Sequence, residues 1–274
     1  MFVKIERLLQ ILSRRIPFFR AISNEHSEIH DGSKYDYVPP SYWLLDRSRG
    51  GAWGFNSETS PGPAIPMLES LRQFLPEDKL WPINEYWMVH ADGEVCRGGM
   101  LGTYRKALDA RYGPPANLQD FLAKSQVMAY EGERAMFEAY GRNKYLSTGV
   151  IQWMLNNAWP SVVWHLYDFY LRPAGGYYGT KKACEPLHIQ YSYDDDSVVV
   201  VNSLYRDFSN LRVEAALFDL DLKPRFSKSV IANIPSDSST RIFVIPKVEG
   251  LTSTYFVKLT LRSAHGEVES SNFY

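Results

Sequence analysis

Gly50-Gly51-Ala52-Trp53-Gly54-Phe55-Asn56-Ser57-Glu58-Thr59-Ser60-Pro61-Gly62-Pro63 organises the chain around it. The run from Gly51 to Ser57 has the length of a buried strand and breaks into a Gly/Pro loop. A single carboxylate, Glu58, stands where strand gives way to loop, with Trp53 and Phe55 close by. Beyond it Ile65, Leu68, Leu71 and Leu75 share one helical face, with Pro63 and Pro66 in the opening turn, where proline is tolerated. Strand, loop and helix in this order make the repeating unit of an α/β fold.

Working outward, the same texture holds as far as Pro186. Gly149 to Leu155 is a further strand candidate, and Leu101, Tyr104 and Leu108 share a helical face. The longest helix should run from Asn117, a good N-cap, to Gly141, a good C′ residue. Upstream, Pro17 to Ser23 suits a short strand, and the prolines of Tyr35 to Trp43 confine any strand there to a few residues. Phe2, Ile5, Leu8, Leu9 and Leu12 recur at helical spacing, so the N-terminus reads as an amphipathic helix rather than a secretory signal.

After Pro186 period-two alternation takes over. Ile189 to Tyr193, Val198 to Val201, Leu211 to Phe218, Ile242 to Ile245 and Tyr255 to Leu261 are separated by turn signals at Asp194 and Pro235. Short strands so spaced argue for an immunoglobulin-like β-sandwich. The expected division is therefore residues 1–186, α/β, and residues 187–274, all-β. An eight-stranded barrel typically needs about 250 residues. The α/β part supplies about half the strands, so it is either another open α/β fold or the C-terminal piece of something longer.

Composition excludes some functions. Thirty Lys and Arg against 31 Asp and Glu give a net charge of −1, without the basic footprint of a nucleic-acid binder. No stretch is long and apolar enough to cross a bilayer. Cys96 and Cys184 have no metal-ligand spacing, and one bridge or two free thiols both fit. His90, His165 and His188 are scattered, so neither a metal nor an organic cofactor is called for. Gly175-Gly176 is no phosphate loop, since no helix of the required pattern is expected after it.

Glu58 at a strand mouth is placed as a covalent nucleophile of a retaining glycosidase would be. The competing assignment is a carboxylate facing the helix that opens near Pro63. Trp153, at the end of the last strand candidate, is either a platform under a sugar ring or a core residue. Asn156 and Asn157 follow it, suited to sugar hydroxyls or to a turn. Tyr37 and Tyr42 border a proline-stiffened loop; one would bond the nucleophile or a hydroxyl, or else pack on Trp43. Glu131, Glu133 and Glu138 fall within the long helix and read as ion-pair partners of Arg134 and Arg142. No second catalytic carboxylate is evident.

Tyr35-Asp-Tyr-Val-Pro-Pro-Ser-Tyr-Trp43, the stretch from Gly50 to Pro63, Tyr130-Glu-Gly-Glu-Arg-Ala-Met-Phe-Glu-Ala-Tyr-Gly-Arg-Asn143, Thr148-Gly-Val-Ile-Gln-Trp-Met-Leu-Asn-Asn-Ala-Trp-Pro160 and Glu185-Pro-Leu-His-Ile-Gln-Tyr-Ser-Tyr-Asp194 together resemble the exo-β-D-glucosaminidases of glycoside hydrolase family 2. The resemblance covers nearly the whole chain. Plant endo-β-mannosidases look more distant, and a family 2 β-mannosidase is the alternative activity. It implies the C-terminal half of a (β/α)8 TIM barrel followed by an immunoglobulin-like β-sandwich. Glu58 then matches the nucleophile at the end of strand seven, Gly149 to Leu155 matches strand eight, and the two upstream segments match strands five and six. Trp153, Asn156, Tyr37 and Tyr42 become substrate-binding candidates, and the partner is a chitosan-type β-linked amino sugar. The acid/base of strand four and the N-terminal half would lie upstream of Met1. The end at Asn272-Phe-Tyr274 looks like mid-strand, so a truncated, non-catalytic remnant is the other reading. Full-length relatives of this kind suggest secretion.

Overall fold

Ile29–His30 (β1), Gly54–Thr59 (β2) and Ser147–Gln152 (β3) form a parallel sheet in the order β1-β2-β3. The computed structural model describes residues 29–30 (backbone alone), 35–45, 50–91 and 100–274. The amphipathic N-terminal helix, the strand expected at Pro17 to Ser23, and Cys96 lie outside these residues. Phe55 faces Gly149 across the sheet, where a Cβ would stand 2.8 Å from the Phe55 ring. That close approach reserves the position for glycine.

The neighbour of β2 is β1, not the Tyr35 to Trp43 segment. Its two prolines leave that segment without a strand, and Tyr42–Leu45 (α1) closes it. After Pro63 only Leu68–Leu71 (α2) is helical before the 3-10 turn Glu77–Lys79 and Glu85–Val89 (α3). Pro66, Pro76 and Pro82 keep these pieces short. Ile65, Leu71 and Leu75 are nonetheless buried, in one core with Trp87, Leu108 and Phe121.

Met100–Tyr112 (α4) buries Leu101, Tyr104 and Leu108, as their spacing predicts. Leu118–Arg142 (α5) begins where Asn117 accepts the Asp120 amide at 3.0 Å. Its end differs from expectation. Gly141 lies inside the last turn, facing Val201, and Asn143 caps the helix. Gly175–Ala183 (α6) is a helix that the sequence did not announce. Cβ atoms at Gly175 and Gly179 would fall 2.0 and 2.2 Å from the Gln126 and Tyr130 carbonyl oxygens, so α6 rests backbone to backbone on α5. Cys184, at its end, is a free thiol.

From Leu187 the chain is all strand. Leu187–Tyr191 (β4), Ser197–Asn202 (β5), Phe208–Asp219 (β6), Pro224–Ile234 (β7), Ser238–Val244 (β8), Tyr255–Arg262 (β9) and Val268–Phe273 (β10) make two antiparallel sheets, β4-β5-β8 and β10-β9-β6-β7. Ile189, Val198, Val200, Val213, Leu217, Leu259 and Leu261 fill the space between them. Together these elements are an α/β unit built on a three-stranded parallel sheet, followed by an immunoglobulin-like sandwich. β4 and β5 are buried on both faces. Their second face meets α5, where Gln190 donates to the Glu138 carbonyl at 2.9 Å.

That junction is polar and closed. Glu138 Oε1 accepts from His188 Nε2 at 2.9 Å, Asn272 Nδ2 at 2.7 Å and Tyr274 Oη at 2.7 Å. Arg134, 1% exposed, donates to Asn272 Oδ1 and the Phe273 carbonyl and lies 3.9 Å from the Tyr274 ring centroid. His188 Nδ1 meets Glu185 at 3.2 Å. Burial alone would depress the His188 pKa, but the hydrogen bonds to Glu138 and Glu185 outweigh it and hold it above 6.5. Burial works against Glu185 too, yet His188, Lys182 and Ser270 bring its carboxyl down to about 2.

The three α5 glutamates thus have separate fates. Glu131 pairs with Arg111 at 2.6 Å, and Glu138 serves the junction. Arg142 pairs with Asp194 rather than with a neighbour on its own helix. Glu133 has no ion pair among the described residues, and burial pushes its carboxyl well above the usual range.

Candidate active site

The parallel sheet presents the C-terminal ends of β2 and β3 side by side. Glu58 is the penultimate residue of β2, half-buried, with its amide donating to Asn56 Oδ1 at 3.2 Å. The Tyr35 hydroxyl donates to Glu58 Oε1. Tyr35 is held in turn by Trp164, whose indole Nε1 donates to the Tyr35 carbonyl at 2.8 Å and whose ring meets the tyrosine edge-on at 5.3 Å. A donor aimed at a carboxylate fixes its rotamer and stabilises its charge.

Trp153 leaves β3 beside this pair. Its amide donates to the Thr59 carbonyl at 2.9 Å, and its side chain is 41% exposed. The Trp153–Met154 peptide is cis. The Met154 amide donates to the Trp164 carbonyl, and Gln152 Nε2 reaches the same oxygen at 3.1 Å. Glu58, Tyr35, Trp164 and Trp153 are therefore tied through backbone and side chain into one cluster at the strand ends. Asn156 is exposed just beyond it, while Asn157 is buried and donates to the Val163 carbonyl at 3.0 Å.

The other tyrosines face elsewhere. Tyr37 turns away from Glu58 into the helical core, edge-on to Tyr104 at 6.3 Å. Tyr42 packs edge-on against Trp43 at 5.1 Å. The hydroxyl on Glu58 belongs to Tyr35, which the sequence reading passed over. Three tyrosines within eight residues offered the signal, but only the backbone path selects among them.

Beneath the cluster Gly62, at φ 118°, passes so close to Tyr37 that a Cβ would lie 2.7 Å from its backbone. The loop after Glu58 thereby rests on the segment that carries Tyr35. Behind it a cavity of about 10 Å³ is lined by Tyr37, Gly62, Met128, Glu133, His165 and Gly176. Burial pushes the His165 imidazole down to about 4 and the Glu133 carboxyl well above its usual range, so it favours the neutral form of both groups at this cavity. Among the described residues no group of three His, Cys, Asp or Glu residues is placed to hold a metal.

Comparison with known proteins gives a consistent picture. Residues 196–274 match the family model of the Mannosidase Ig/CBM-like domain. An exo-β-D-glucosaminidase of Streptomyces avermitilis is 41% identical over 274 residues, covering 94% of this chain and 30% of its own length. The crystal structure of Amycolatopsis orientalis exo-chitosanase CsxA superposes with a TM-score of 0.82 at 39% identity, over 90% of this chain and 30% of that one. A second CsxA structure, which concerns inhibition by a glucosamine-configured castanospermine and an amino-australine analogue, gives a TM-score of 0.82 at 39% identity, over 89% and 30% of the two chains. The chain thus spans about 30% of the length of the relatives it matches. By sequence and by fold the chain is closely similar to part of the exo-β-D-glucosaminidases of glycoside hydrolase family 2, with parallel strands of a barrel followed by an immunoglobulin-like sandwich.

Proposed function

We propose that this chain supplies the nucleophile and the sugar platform of a retaining exo-β-D-glucosaminidase acting on the ends of chitosan or its oligosaccharides. The observation that carries the reading is Glu58 at a strand mouth, held by the Tyr35 hydroxyl, with half-exposed Trp153 tied to the same strand end. The relatives' activity and the glucosamine-configured inhibitor of CsxA point to the same sugar. We assign the described residues up to 186 to the barrel part and residues 187–274 to the sandwich.

In the reaction, the Glu58 carboxylate attacks the anomeric carbon while the bond to the leaving oxygen breaks and a general acid protonates that oxygen. Water, deprotonated by the same group, then hydrolyses the glycosyl ester and frees Glu58. The sugar's apolar face rests on Trp153, and Asn156 bonds its hydroxyls. The acid/base comes from outside this chain and stands about 5–5.5 Å from Glu58 in the complete site. The second reading, a catalytically silent piece that binds sugar weakly, is favoured by the chain's spanning only about 30% of the length of its relatives.

Hydrolysis of 4-nitrophenyl β-D-glucosaminide tests both. The assay uses the chain alone, then the chain mixed with the upstream portion of the Streptomyces avermitilis relative. We expect turnover only in the mixture and none with Glu58→Gln. Retained turnover in the variant would contradict the nucleophile assignment, and a stable but inactive mixture would favour the silent reading.

A further inference from the structure

Phe273 and Tyr130 line two adjoining clefts where α5 meets the sandwich. One, of about 770 Å³, runs between α4, α5 and the start of β9, past Tyr112, Tyr255 and Phe256. The other, of about 260 Å³, is bordered by Lys182 and Lys258. Neither shares a lining residue with the cluster around Glu58. The larger falls within the ~300–1,000 Å³ typical of small-ligand pockets.

The aromatic rings are braced as platforms. Phe256 stacks on one face of Phe273 at 5.4 Å and 20°, and Phe273 is still 53% exposed. Tyr255 is 36% exposed on the same rim. Below them Arg134 holds the Tyr274 and Tyr130 rings, its guanidinium 3.9 and 5.1 Å from their centroids. Rigid rings of this kind lose little entropy on binding a flat apolar face. The C–H face of a pyranose is such a surface, with hydroxyls at its edge for the polar rim.

The charges narrow the choice of sugar. Glu131 is the sole side-chain carboxylate among the lining residues, and Arg111 and the Tyr112 hydroxyl already occupy it. Lys258 is exposed and has no ion pair among the described residues. A cationic ligand finds no unoccupied side-chain carboxylate among these lining residues and meets a lysine.

We infer that this groove is a second saccharide site, taking a pyranose oligosaccharide that carries no positive charge. It is separate from the Glu58 site and opposite to it in charge preference. Isothermal titration of the full chain tests this with two probes, the neutral N-acetylglucosamine trimer and the cationic glucosamine trimer. The neutral trimer should bind with a millimolar or tighter Kd, weakened about tenfold or more in Phe273→Ala and unchanged in Glu58→Gln. Tyr255→Ala repeats the test from a different strand should Phe273→Ala not fold. Lys258→Glu should raise affinity for the glucosamine trimer. Absence of heat with the neutral trimer would overturn the inference. So would binding indifferent to both ring variants, or a Phe273-dependent preference for the cationic trimer.

Discussion

Gly62 is the residue on which the candidate nucleophile's setting turns. At φ 118°, with Tyr37 backbone atoms 2.7 Å from where a Cβ would be, it has no room for any side chain. Gly62→Ala should cost about 1–3 kcal/mol and part Tyr35 from Glu58, read as a lower denaturation midpoint. Tyr35→Phe should leave the midpoint nearly unchanged. It should slow the reconstituted enzyme by an amount equivalent to about 1.5–3 kcal/mol, the usual worth of a hydrogen bond to a charged group. An unaltered rate would remove Tyr35 from the site. Glu58 was legible because a lone acid at a strand mouth is chemically conspicuous. Tyr35 was not, because Tyr35 and Tyr37 differ only in which way a proline-stiffened segment turns, and the contact with Gly62 sets that turn.

At the scale of elements, periodicity served where one environment decided each face. α4 buries Leu101, Tyr104 and Leu108 at the spacing that announced it, and Asn117 caps α5 through its side chain. Asn117→Ala should therefore cost about 1 kcal/mol in a urea titration. Two elements obeyed other rules. α6 opens on Gly175-Gly176, poor helix formers, and is held by close approach to α5 rather than by propensity. β4 alternates apolar and polar residues as a half-exposed strand would, yet His188 and Gln190 are buried against α5. Alternation reports that two faces differ. It does not report that the second face is dry.

Across the whole molecule, four buried or paired titrating groups shape how stability varies with pH. Glu185 folds with a pKa of about 2 against 4.5, so its contribution is present above pH 4.5 and lost as pH falls toward 2. His188 folds with a pKa above 6.5, held between Glu138 and Glu185 with Arg134 beside them; its contribution is present below pH 6.5 and lost as pH rises through the folded value. Burial raises the Glu133 carboxyl and so favours unfolding as pH climbs past 4.5, while the depressed His165 imidazole favours unfolding as pH falls below 6.5, so the two oppose each other between these values. Melting temperature should peak between pH 4.5 and 6.5 and fall on both sides. Glu133→Gln should flatten the alkaline decline, and an unchanged slope would refute its share. At the open side of the sheet, Ile151 and Leu155 are 51% and 63% exposed. Surfaces of this kind promote association, so the purified chain alone should sediment as more than a monomer.

The double burial of β4 and β5 bears on modularity. A sandwich cut free at Leu187 would carry His188, Gln190, Val199 and Val201 into water on a face shaped for a helix, and would leave Arg134 and Glu138 stripped of their partners on the other piece. The sandwich is then not a module that can be moved between proteins without the helix it rests on, and chimeras joined at the apparent linker should express as insoluble protein.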